Sequence, residues 1–291
     1  MITTLDNGIL QAQFDVKGAE MTRLSCGGIE RIWCGDPTVW PRHAPLLFPI
    51  IGRLLNGQYE LNGEPVSCPT HGFCRDRIFG ITAQSSTLVR FETSEDEETK
   101  SVFPYDFDLA IEYELRENTL VKRHIVTNRS DCPMYFEIGG HDAYNVAMLP
   151  GETASDYAVA FEETDRLQLF GMEEGSGMLT LPKSETLLEN GMLRKMPWEL
   201  GLDTLILEDL PVRKAKLVGL KSGLSVEISF EDFPYLGIWT KPVENVRYLC
   251  IEPWTTLPDG YFMSRNIEER PGICTLQPGE TRTWTYTETF A

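Results

Sequence analysis

The chain has 291 residues, of which 42% are hydrophobic and 24% are charged, a composition that excludes an intrinsically disordered protein. Its formal net charge of −18 repels nucleic-acid phosphates and anionic lipid heads, so we expect neither nucleic acid nor a membrane as a partner. No apolar run is long enough to cross a bilayer, and the N-terminus lacks the basic and apolar regions of a signal peptide.

The seven cysteines are odd in number and include no C-x-x-C pair, which argues against a disulfide framework and against a zinc ribbon. Thiols stay reduced in the cytoplasm, whereas disulfides form in secreted proteins. The sequence therefore predicts a cytoplasmic protein.

Turn signals and alternating apolar residues divide the chain into short strands. Asn7-Gly8 and Asn62-Gly63 favour tight turns between antiparallel strands. Every second residue of Phe107–Leu115 is apolar, which is the pattern of a strand with one buried face. Glu117-Asn118 joins this strand to a second one over Thr119–Thr127, and together they predict a hairpin.

The second half of the chain continues this pattern. Ser222-Gly223 separates Val212–Leu220 from Leu224–Phe230, which predicts another hairpin. Helical periodicity is nearly absent, and we interpret the acidic run Glu95–Glu98 as a solvated loop tip. Roughly eighteen or more strands are expected at this spacing, a number typical of a large antiparallel β-sandwich. The predicted fold class is all-β, with residues 1–291 forming one sandwich domain.

Two of the four histidines lie where glycines interrupt the strand pattern. His71 stands in Pro69-Thr70-His71-Gly72-Phe73, and His141 follows two glycines. Glycine permits unusual backbone angles, and loops on a rigid sheet commonly carry function, so both histidines are candidate site residues. His124 lies within a strand pattern and His43 in a proline-flanked loop, where structural roles are favoured.

Two acidic residues flank apolar strands. Glu252 ends one strand, ahead of Pro253 and Trp254, where partial loss of water makes a carboxylate a better base. A surface glutamate at a strand end is the alternative. Asp203 begins another apolar strand, and its alternative is an ordinary turn aspartate. Both residues are candidates for the site.

Arginines and tryptophans supply further candidates. Arg53, after an apolar segment, and Arg75, after the first histidine loop, are placed to bind hydroxyl, carboxylate or phosphate groups. Trp254, together with Trp33 and Trp239, is a candidate platform for a sugar ring, with a core position as the alternative. The sequence lacks a P-loop, a dinucleotide fingerprint, an H-E-x-x-H motif and a G-x-S-x-G elbow. We therefore expect neither a cofactor nor a metal.

Five segments resemble, in order, the motifs of the aldose 1-epimerase (galactose mutarotase-like) superfamily, and they spread over nearly the whole chain. These segments are Leu47-Phe48-Pro49-Ile50-Ile51-Gly52-Arg53, Pro69-Thr70-His71-Gly72-Phe73, Gly139-Gly140-His141-Asp142-Ala143-Tyr144-Asn145, Leu202-Asp203-Thr204-Leu205-Ile206 and Cys250-Ile251-Glu252-Pro253-Trp254. The resemblance implies a large antiparallel β-sandwich with a sugar site across one concave sheet. It also implies an isomerase that interconverts the α and β anomers of a hexose or related sugar.

The resemblance assigns a role to each matching residue. Glu252 matches the general base that takes the proton from the anomeric hydroxyl, and His141 matches the general acid that protonates the ring oxygen. His71, Asp203 and Arg53 match residues that hold the sugar and stabilise charge. These roles agree with the chemistry, because opening a hemiacetal ring requires one proton removed and one delivered.

Other interpretations remain open. The segments around Glu252 and Trp239 differ from those of galactose-converting members and look closer to a divergent bacterial branch. The run His71-Gly72-Phe73-Cys74-Arg75-Asp76 also resembles hexose-6-phosphate 1-epimerases, in which arginines bind phosphate; Arg53 and Arg75 are the corresponding candidates here. A non-catalytic carbohydrate-binding or sensing protein is a third interpretation. The expected partner is a small-molecule sugar or sugar phosphate, and a homodimer is left open.

Overall fold

The structure is a computed structural model, and it describes residues 1–173, 175–195, 197–200, 204–241, 243 and 245–291. The described chain is almost entirely β, which confirms the predicted fold class. It contains 23 strands, including pieces as short as Ile29–Glu30 and Met192–Leu193. The strands are β1 Ile2–Asp6, β2 Leu10–Asp15, β3 Glu20–Cys26, β4 Ile29–Glu30, β5 Gln58–Leu61, β6 Glu64–Ser67, β7 Gly80–Gln84, β8 Leu88–Ser94, β9 Phe107–Arg116, β10 Thr119–Asn128, β11 Met134–Phe136, β12 Asp142–Asn145, β13 Tyr157–Ala160, β14 Arg166–Met172, β15 Leu179–Leu187, β16 Met192–Leu193, β17 Thr204–Leu207, β18 Lys214–Gly219, β19 Ser225–Ser229, β20 Tyr235–Trp239, β21 Tyr248–Trp254, β22 Cys274–Leu276 and β23 Thr281–Phe290.

Most of these strands belong to three antiparallel sheets. The orders of hydrogen-bonded neighbours are β1-β2-β3-β4 in a four-stranded sheet, β16-β13-β18-β19-β23-β10-β9-β8-β7 in a nine-stranded sheet and β12-β21-β20-β17-β14-β15 in a six-stranded sheet. Two short pairs, β5-β6 and β11-β22, complete the described strands.

The predicted hairpins are present. β9 and β10 pair across Glu117-Asn118, and β18 and β19 pair across Ser222-Gly223. Asn62 and Gly63 connect β5 to β6 with φ angles of 54° and 81°. Both angles are positive, as a tight turn matched to the twist of its strands requires.

The nine-stranded and six-stranded sheets face each other across the main hydrophobic core. Leu109 and Ile111 of β9 belong to the same buried cluster as Leu249 and Ile251 of β21. Burial of each such side chain contributes about 1.5–3 kcal/mol. The apolar half of each alternating strand therefore holds the two sheets together.

Alternation along β21 sends its other residues to the outer face of the six-stranded sheet, the face turned away from the main core. Cys250 and Trp254 belong there to two smaller buried clusters, separate from the main core. Segments before residue 55 cover this face, with Trp33 packed in the cluster of Cys250 and Leu47 in that of Trp254. All seven residues of β21 are buried as a result, and Glu252 lies among them.

Helical structure in the described chain consists of short pieces. One α-helix, α1, spans Glu97–Lys100, and 3-10 turns span Leu55–Gly57, Cys74–Asp76, Ala154–Asp156, Pro197–Leu200 and Ile267–Glu269. The interpretation of Glu95–Glu98 as a loop tip was therefore wrong for its last two residues. Asp96 accepts a hydrogen bond from Thr99 N–H at 2.8 Å, and Thr99 Oγ1 accepts one from Asp96 N–H at 2.9 Å; this capping box starts the helix. Among the described residues, no helix has the length and apolar character of a membrane span.

Candidate functional site

A cavity opens on the outer face of the six-stranded sheet. Its volume is about 290 Å³, close to the lower end of the roughly 300–1,000 Å³ typical of small-molecule sites. Its described lining includes the polar side chains of Arg53, Thr70, His71, Arg75, His141, Thr204 and Glu252 and the rings of Trp40, Trp239 and Trp254. Of the seven site residues predicted from the sequence, six line this cavity, and Asp203 lies outside the described residues.

Strand register brings Glu252 and His141 together. Asp142 of β12 is paired with Ile251 of β21 in an antiparallel register. The residue before Asp142, His141, therefore lies opposite the residue after Ile251, Glu252, and both side chains are on the outer face. His141 Nε2 is 3.4 Å from Glu252 Oε2, and the two side chains are 8% and 2% exposed. A carboxylate and an imidazole, both common groups in acid–base catalysis, therefore lie side by side in the cavity.

Gly139 and Gly140, directly before His141, pass between two aromatic side chains. A Cβ on Gly139 would lie 2.9 Å from Trp254 Cδ1, and a Cβ on Gly140 would collide with the Tyr286 hydroxyl. Real Cβ atoms essentially never approach other groups this closely, so a side chain at either position would displace the backbone that carries His141. The two glycines before His141 therefore serve close packing.

Tryptophan rings form the apolar walls of the cavity. The indole of Trp254 lies over Gly237 of β20, where a Cβ would be 2.5 Å from the indole Cζ2. Trp40 stacks on the His141 imidazole with ring centroids 5.2 Å apart and 28° between the planes. Trp239 meets the same imidazole edge-on at 5.6 Å. Flat aromatic faces of this kind suit the apolar face of a sugar ring.

Sequence reasoning missed Trp40, Thr70 and Thr204. Trp40 lies in an irregular segment with no strand or helix period, so no local pattern connects it with His141. Trp33, a predicted platform for a sugar ring, is instead a buried core residue. Its Nε1 donates a hydrogen bond to Trp40 O at 2.9 Å, and it therefore supports the ring that stacks on His141.

The backbone around His71 adopts the left-handed conformation, with φ of 62° at His71 and 70° at Gly72. A Cβ on Gly72 would collide with Phe48 O, so this turn requires glycine. His71 Nδ1 accepts a hydrogen bond from Gly52 N–H at 3.1 Å, which assigns the ring proton to Nε2. Its ring lies edge-on to that of His141, with centroids 5.4 Å apart.

Arg53 is partly engaged by the protein itself. Its guanidinium donates hydrogen bonds to Gly175 O at 2.8 Å and to Ser176 O at 3.2 Å. Gly177, in the same loop, lines the cavity. Arg53 therefore holds the loop that borders the cavity, in addition to placing a positive charge there.

Arg75 is less engaged. Its Nε lies 3.8 Å from Asp76 Oδ2 and has no hydrogen-bond acceptor within the part of the chain that the structure describes. Arg42 pairs with the same carboxylate at 3.1 Å. Burial, and after it the charge of Arg42, lower the pKa of Arg75. Arg75 therefore lines the cavity as a cation with one donor, Nε, that is unpaired among the described residues.

Burial keeps both site histidines neutral at pH 7 in the sugar-free protein. It lowers the pKa of His141 to about 3; the Asp142 carboxylate opposes this shift, and Arg75 adds to it. Burial also lowers the pKa of His71 well below its usual range, and the charge that His141 carries when protonated and the charge of Arg75 act in the same direction. Either ring becomes imidazolium near neutral pH only when a bound group stabilises its positive charge.

The buried histidines predict a loss of stability in mild acid. Burial lowers the pKa of His124, as of His141, to about 3, whereas an unfolded histidine titrates near 6.5. The unfolded state therefore binds more protons below pH 6.5, and stability present above that pH is lost as the pH falls toward 3. We expect each of the two rings to lower the free energy of unfolding by about 2 kcal/mol between pH 7.5 and pH 5.0, measured by urea unfolding.

His124→Gln is the matched variant, because His124 is buried in the core and does not line the cavity. Its unfolding free energy should fall by about 2 kcal/mol less than that of the wild type over the same pH interval. An identical pH dependence in the two proteins would contradict the expected contribution of this ring.

His141, Cys250 and Glu252 place one ligand atom each within 4.8 Å of one another, a spacing compatible with a metal ion. Metal ions bind the thiolate form of cysteine. Burial raises the pKa of the Cys250 thiol well above its usual value, which favours the protonated form. Without a bound cation, Cys250 therefore lies near Glu252 as a neutral thiol.

Comparison with known proteins identifies the family of the chain. The family model described as aldose 1-epimerase matches residues 1–288. The chromosomal protein LacX of Lactococcus lactis subsp. lactis is 28% identical over 294 residues, which cover 98% of each chain. Among solved structures, a galactose mutarotase related enzyme from Lactobacillus acidophilus is 28% identical with a TM-score of 0.94, and the match covers 100% of this chain and 97% of that one.

A galactose mutarotase-like protein from Lactobacillus casei is also 28% identical, with a TM-score of 0.92 and full coverage of both chains. The matches extend over the whole chain, including the segments that carry His141 and Glu252. The chain belongs to the aldose 1-epimerase family.

Proposed function

We propose that the protein is an aldose 1-epimerase that interconverts the α and β anomers of a hexose or related sugar. The observation that carries the proposal is the distance of 3.4 Å between His141 Nε2 and Glu252 Oε2 inside the cavity. The anomeric hydroxyl oxygen O1 and the ring oxygen O5 are bonded to the same carbon. A base for O1 and an acid for O5 therefore have to reach two oxygens of one carbon, and two groups this close together inside the cavity are placed to do so.

In the proposed reaction Glu252 takes the proton of the O1 hydroxyl, the C1–O5 bond breaks, and His141 delivers a proton to O5. C1 becomes an aldehyde carbon. Rotation about the C1–C2 bond turns its other face toward O5, and the reverse proton transfers close the ring as the second anomer. The protons balance over one cycle, and both residues return to their starting states.

The other lining residues are proposed to hold the sugar. His71, with its proton on Nε2, offers a donor to a hydroxyl oxygen. Trp254 and Trp239 provide apolar walls for the ring, and Arg53 places positive charge near the developing negative charge on oxygen. Asp203 stays a predicted sugar ligand on the basis of its motif.

Anomer exchange measured by NMR tests the proposal. The wild-type protein is added to glucose, galactose and their 6-phosphates, and magnetisation transfer between the α and β signals gives the exchange rate. We expect faster exchange than in buffer alone for at least one sugar. Saturable binding of a sugar with the exchange rate of buffer would instead favour a non-catalytic carbohydrate-binding or sensing protein.

A phosphorylated sugar is the second candidate substrate. Among the described residues that line the cavity, two arginines and two histidines accompany a single carboxylate, although the whole chain has a net charge of −18. The Nε of Arg75 has no acceptor among the described residues, and Arg42 lies near it, across Asp76. Arginines bind phosphate through charge-assisted, often bidentate hydrogen bonds.

Arg75→Ala distinguishes the two substrates. Loss of a hydrogen bond to a charged group corresponds to about 1.5–3 kcal/mol, so kcat/KM for a hexose 6-phosphate should fall about 10- to 100-fold in the NMR exchange assay. The value for the free hexose should stay within about threefold. Arg129→Ala, which removes an exposed arginine just beyond the end of β10, is the matched control. Equal losses for neutral and phosphorylated sugars would remove the case for phosphate.

We also propose that the protein works in the cytoplasm. All seven cysteines are free thiols, and four of them, Cys68, Cys74, Cys250 and Cys274, are buried. Unpaired cysteines in this number suit a reducing compartment. Fractionation of the source cells with an antibody to the chain would test this location.

A further inference from the structure

A fully buried cluster of charged side chains lies directly behind His141, on the core side of the six-stranded sheet. Lys122 Nζ of β10 binds Asp142 Oδ1 of β12 and lies 2.6 Å from Glu288 Oε1 of β23. The three side chains are between 0% and 2% exposed. β10 and β23 belong to the nine-stranded sheet, so this cluster is an ionic link between the two large sheets.

Tyrosine hydroxyls complete the cluster. Tyr286 OH donates to Asp142 Oδ2 at 2.6 Å, and Tyr144 OH donates to Glu288 Oε1 at 2.9 Å. The Lys122 ammonium also lies over the Tyr286 ring, 5.2 Å from its centroid. Other titratable side chains that pack against the cluster are Tyr113 of β9 and His124 of β10.

Stability alone does not account for this cluster. Removing charges from water is unfavourable, and buried ion pairs are often no more stabilising than apolar residues of the same volume. This cluster contains the first residue of β12, and His141 directly precedes that strand. Asp142 is the next residue in the chain, and the Tyr286 hydroxyl fills the space that Gly140 leaves free.

We propose that Lys122, Asp142 and Glu288 form a positioning unit for His141, which fixes the backbone at residues 140–142 from behind and places negative charge next to the imidazole. The inference rests on the proposed function of the same site. It gives Asp142 a physical role in acid catalysis without contact with the sugar. With Lys122 positive and both carboxylates ionised, the cluster carries one net negative charge, which favours the imidazolium form of His141.

Several titratable or charged groups face His141 and act on its pH dependence. They are Glu252 and Cys250 of β21, His71 and Arg75 of the loop before residue 77, Arg42 and the adjacent Asp142. Arg42 and Arg75 oppose the imidazolium form, whereas Asp142 favours it. Burial raises the pKa of Glu288 to about 7, so that the charge of the cluster itself changes near neutral pH.

Asp142→Asn, Glu288→Gln and Tyr286→Phe test the inference, each removing one charge or one hydroxyl with little change in volume. In Asp142→Asn we expect kcat to fall about 10- to 100-fold, a part of the roughly 10²–10⁴ that a positioned acid contributes, with KM within about twofold. The pH at which kcat declines should move down by about one unit, because a carboxylate that favours imidazolium is gone. Glu288→Gln and Tyr286→Phe should shift kcat in the same direction by smaller factors.

Glu137→Gln is the matched control. Glu137 precedes the segment Gly139–Asn145 in the chain and forms an equally buried ion pair with Arg270, 2.7 Å away. In Glu137→Gln, kcat should begin to decline at the same pH as in the wild type, even if the variant is less stable. A folded Asp142→Asn protein with wild-type kcat, or with kcat and KM changed together and the pH profile unmoved, would overturn the inference. If Asp142→Asn does not fold, the same criteria apply to Glu288→Gln and Tyr286→Phe.

Ring ¹⁵N NMR signals of the histidines separate this inference from the proposed function, because they need no turnover. The His141 ring signals should shift in Asp142→Asn and Tyr286→Phe, while those of His43 stay in place. Unshifted His141 signals in folded variants would overturn the positioning unit even in an active enzyme. A wild-type protein that exchanges no sugar would overturn the proposed function and leave this NMR result to decide the inference.

Discussion

Replacing Glu252 with Gln is expected to lower kcat for anomer exchange by about 10²–10⁴-fold, the contribution of a positioned general base. Glutamine keeps the volume and planar shape of the side chain, so the packing of β21 should survive. The amide cannot take the proton from the O1 hydroxyl, however, and ring opening then depends on water. KM should stay within about threefold, because shape and hydrogen-bonding capacity toward the sugar are largely kept. Saturation kinetics by polarimetry or NMR exchange measures both constants.

Cys250→Ala is the matched control for this variant. Cys250 lies two residues before Glu252, on the same face of β21, and is equally buried. Its thiol takes no part in the proposed proton transfers, so kcat should remain within about threefold of the wild type. A large loss in Cys250→Ala together with near wild-type kcat in Glu252→Gln would contradict the assignment of the base.

Strand alternation explains why Glu252 could be found in the sequence and why the face of the sheet on which it lies could not. The segment Leu249–Trp254 indicated an apolar strand that ends in a carboxylate. β21 is buried on both faces, however, so the pattern alone does not assign Glu252 to the outer face. The assignment follows from the pairing of Asp142 with Ile251, a long-range register that local periodicity does not contain.

Contacts between distant segments account for the rest of the unpredicted site. Trp40 reaches His141 from an irregular loop, and the partners of Arg53 are backbone carbonyls, which every residue possesses and no motif marks. Gly237 sits within β20 and carries no visible signal, although the Trp254 indole needs its empty side-chain position. By contrast, the helix over Glu97–Lys100 did have a local signal, the capping pair Asp96 and Thr99.

The buried cluster behind the site was also hidden from the sequence. Lys122 and Glu288 occupy core positions of strands whose alternation otherwise predicts apolar side chains. Charged residues at such positions are a departure from the pattern, and departures of this kind mark strained or functional positions more often than apolar ones do. Asp142 stood inside a recognised motif, yet only the sandwich geometry connects it with β10 and β23.

Replacing His141 with Asn is expected to lower kcat by about 10²–10⁴-fold and to change the shape of the pH profile. A general acid must carry its proton, so activity is present below its pKa and is lost as the pH rises through it. Burial lowers the pKa of His141 to about 3 in the sugar-free protein. The wild-type kcat/KM should therefore decline with rising pH over the whole range from 5 to 8, by about tenfold per pH unit.

The wild-type kcat should begin to decline at a higher pH than kcat/KM, because a hydrogen bond from the imidazolium to O5 favours the charged form in the complex. In His141→Asn the declining limb should be absent from both constants, since asparagine does not titrate. The residual rate then reports what Glu252 and the binding residues achieve without an acid. A His141→Asn protein that keeps the wild-type decline would assign the titrating acid to another group in the cavity, and His71 is the next histidine to test, because its ring lies 5.4 Å from that of His141.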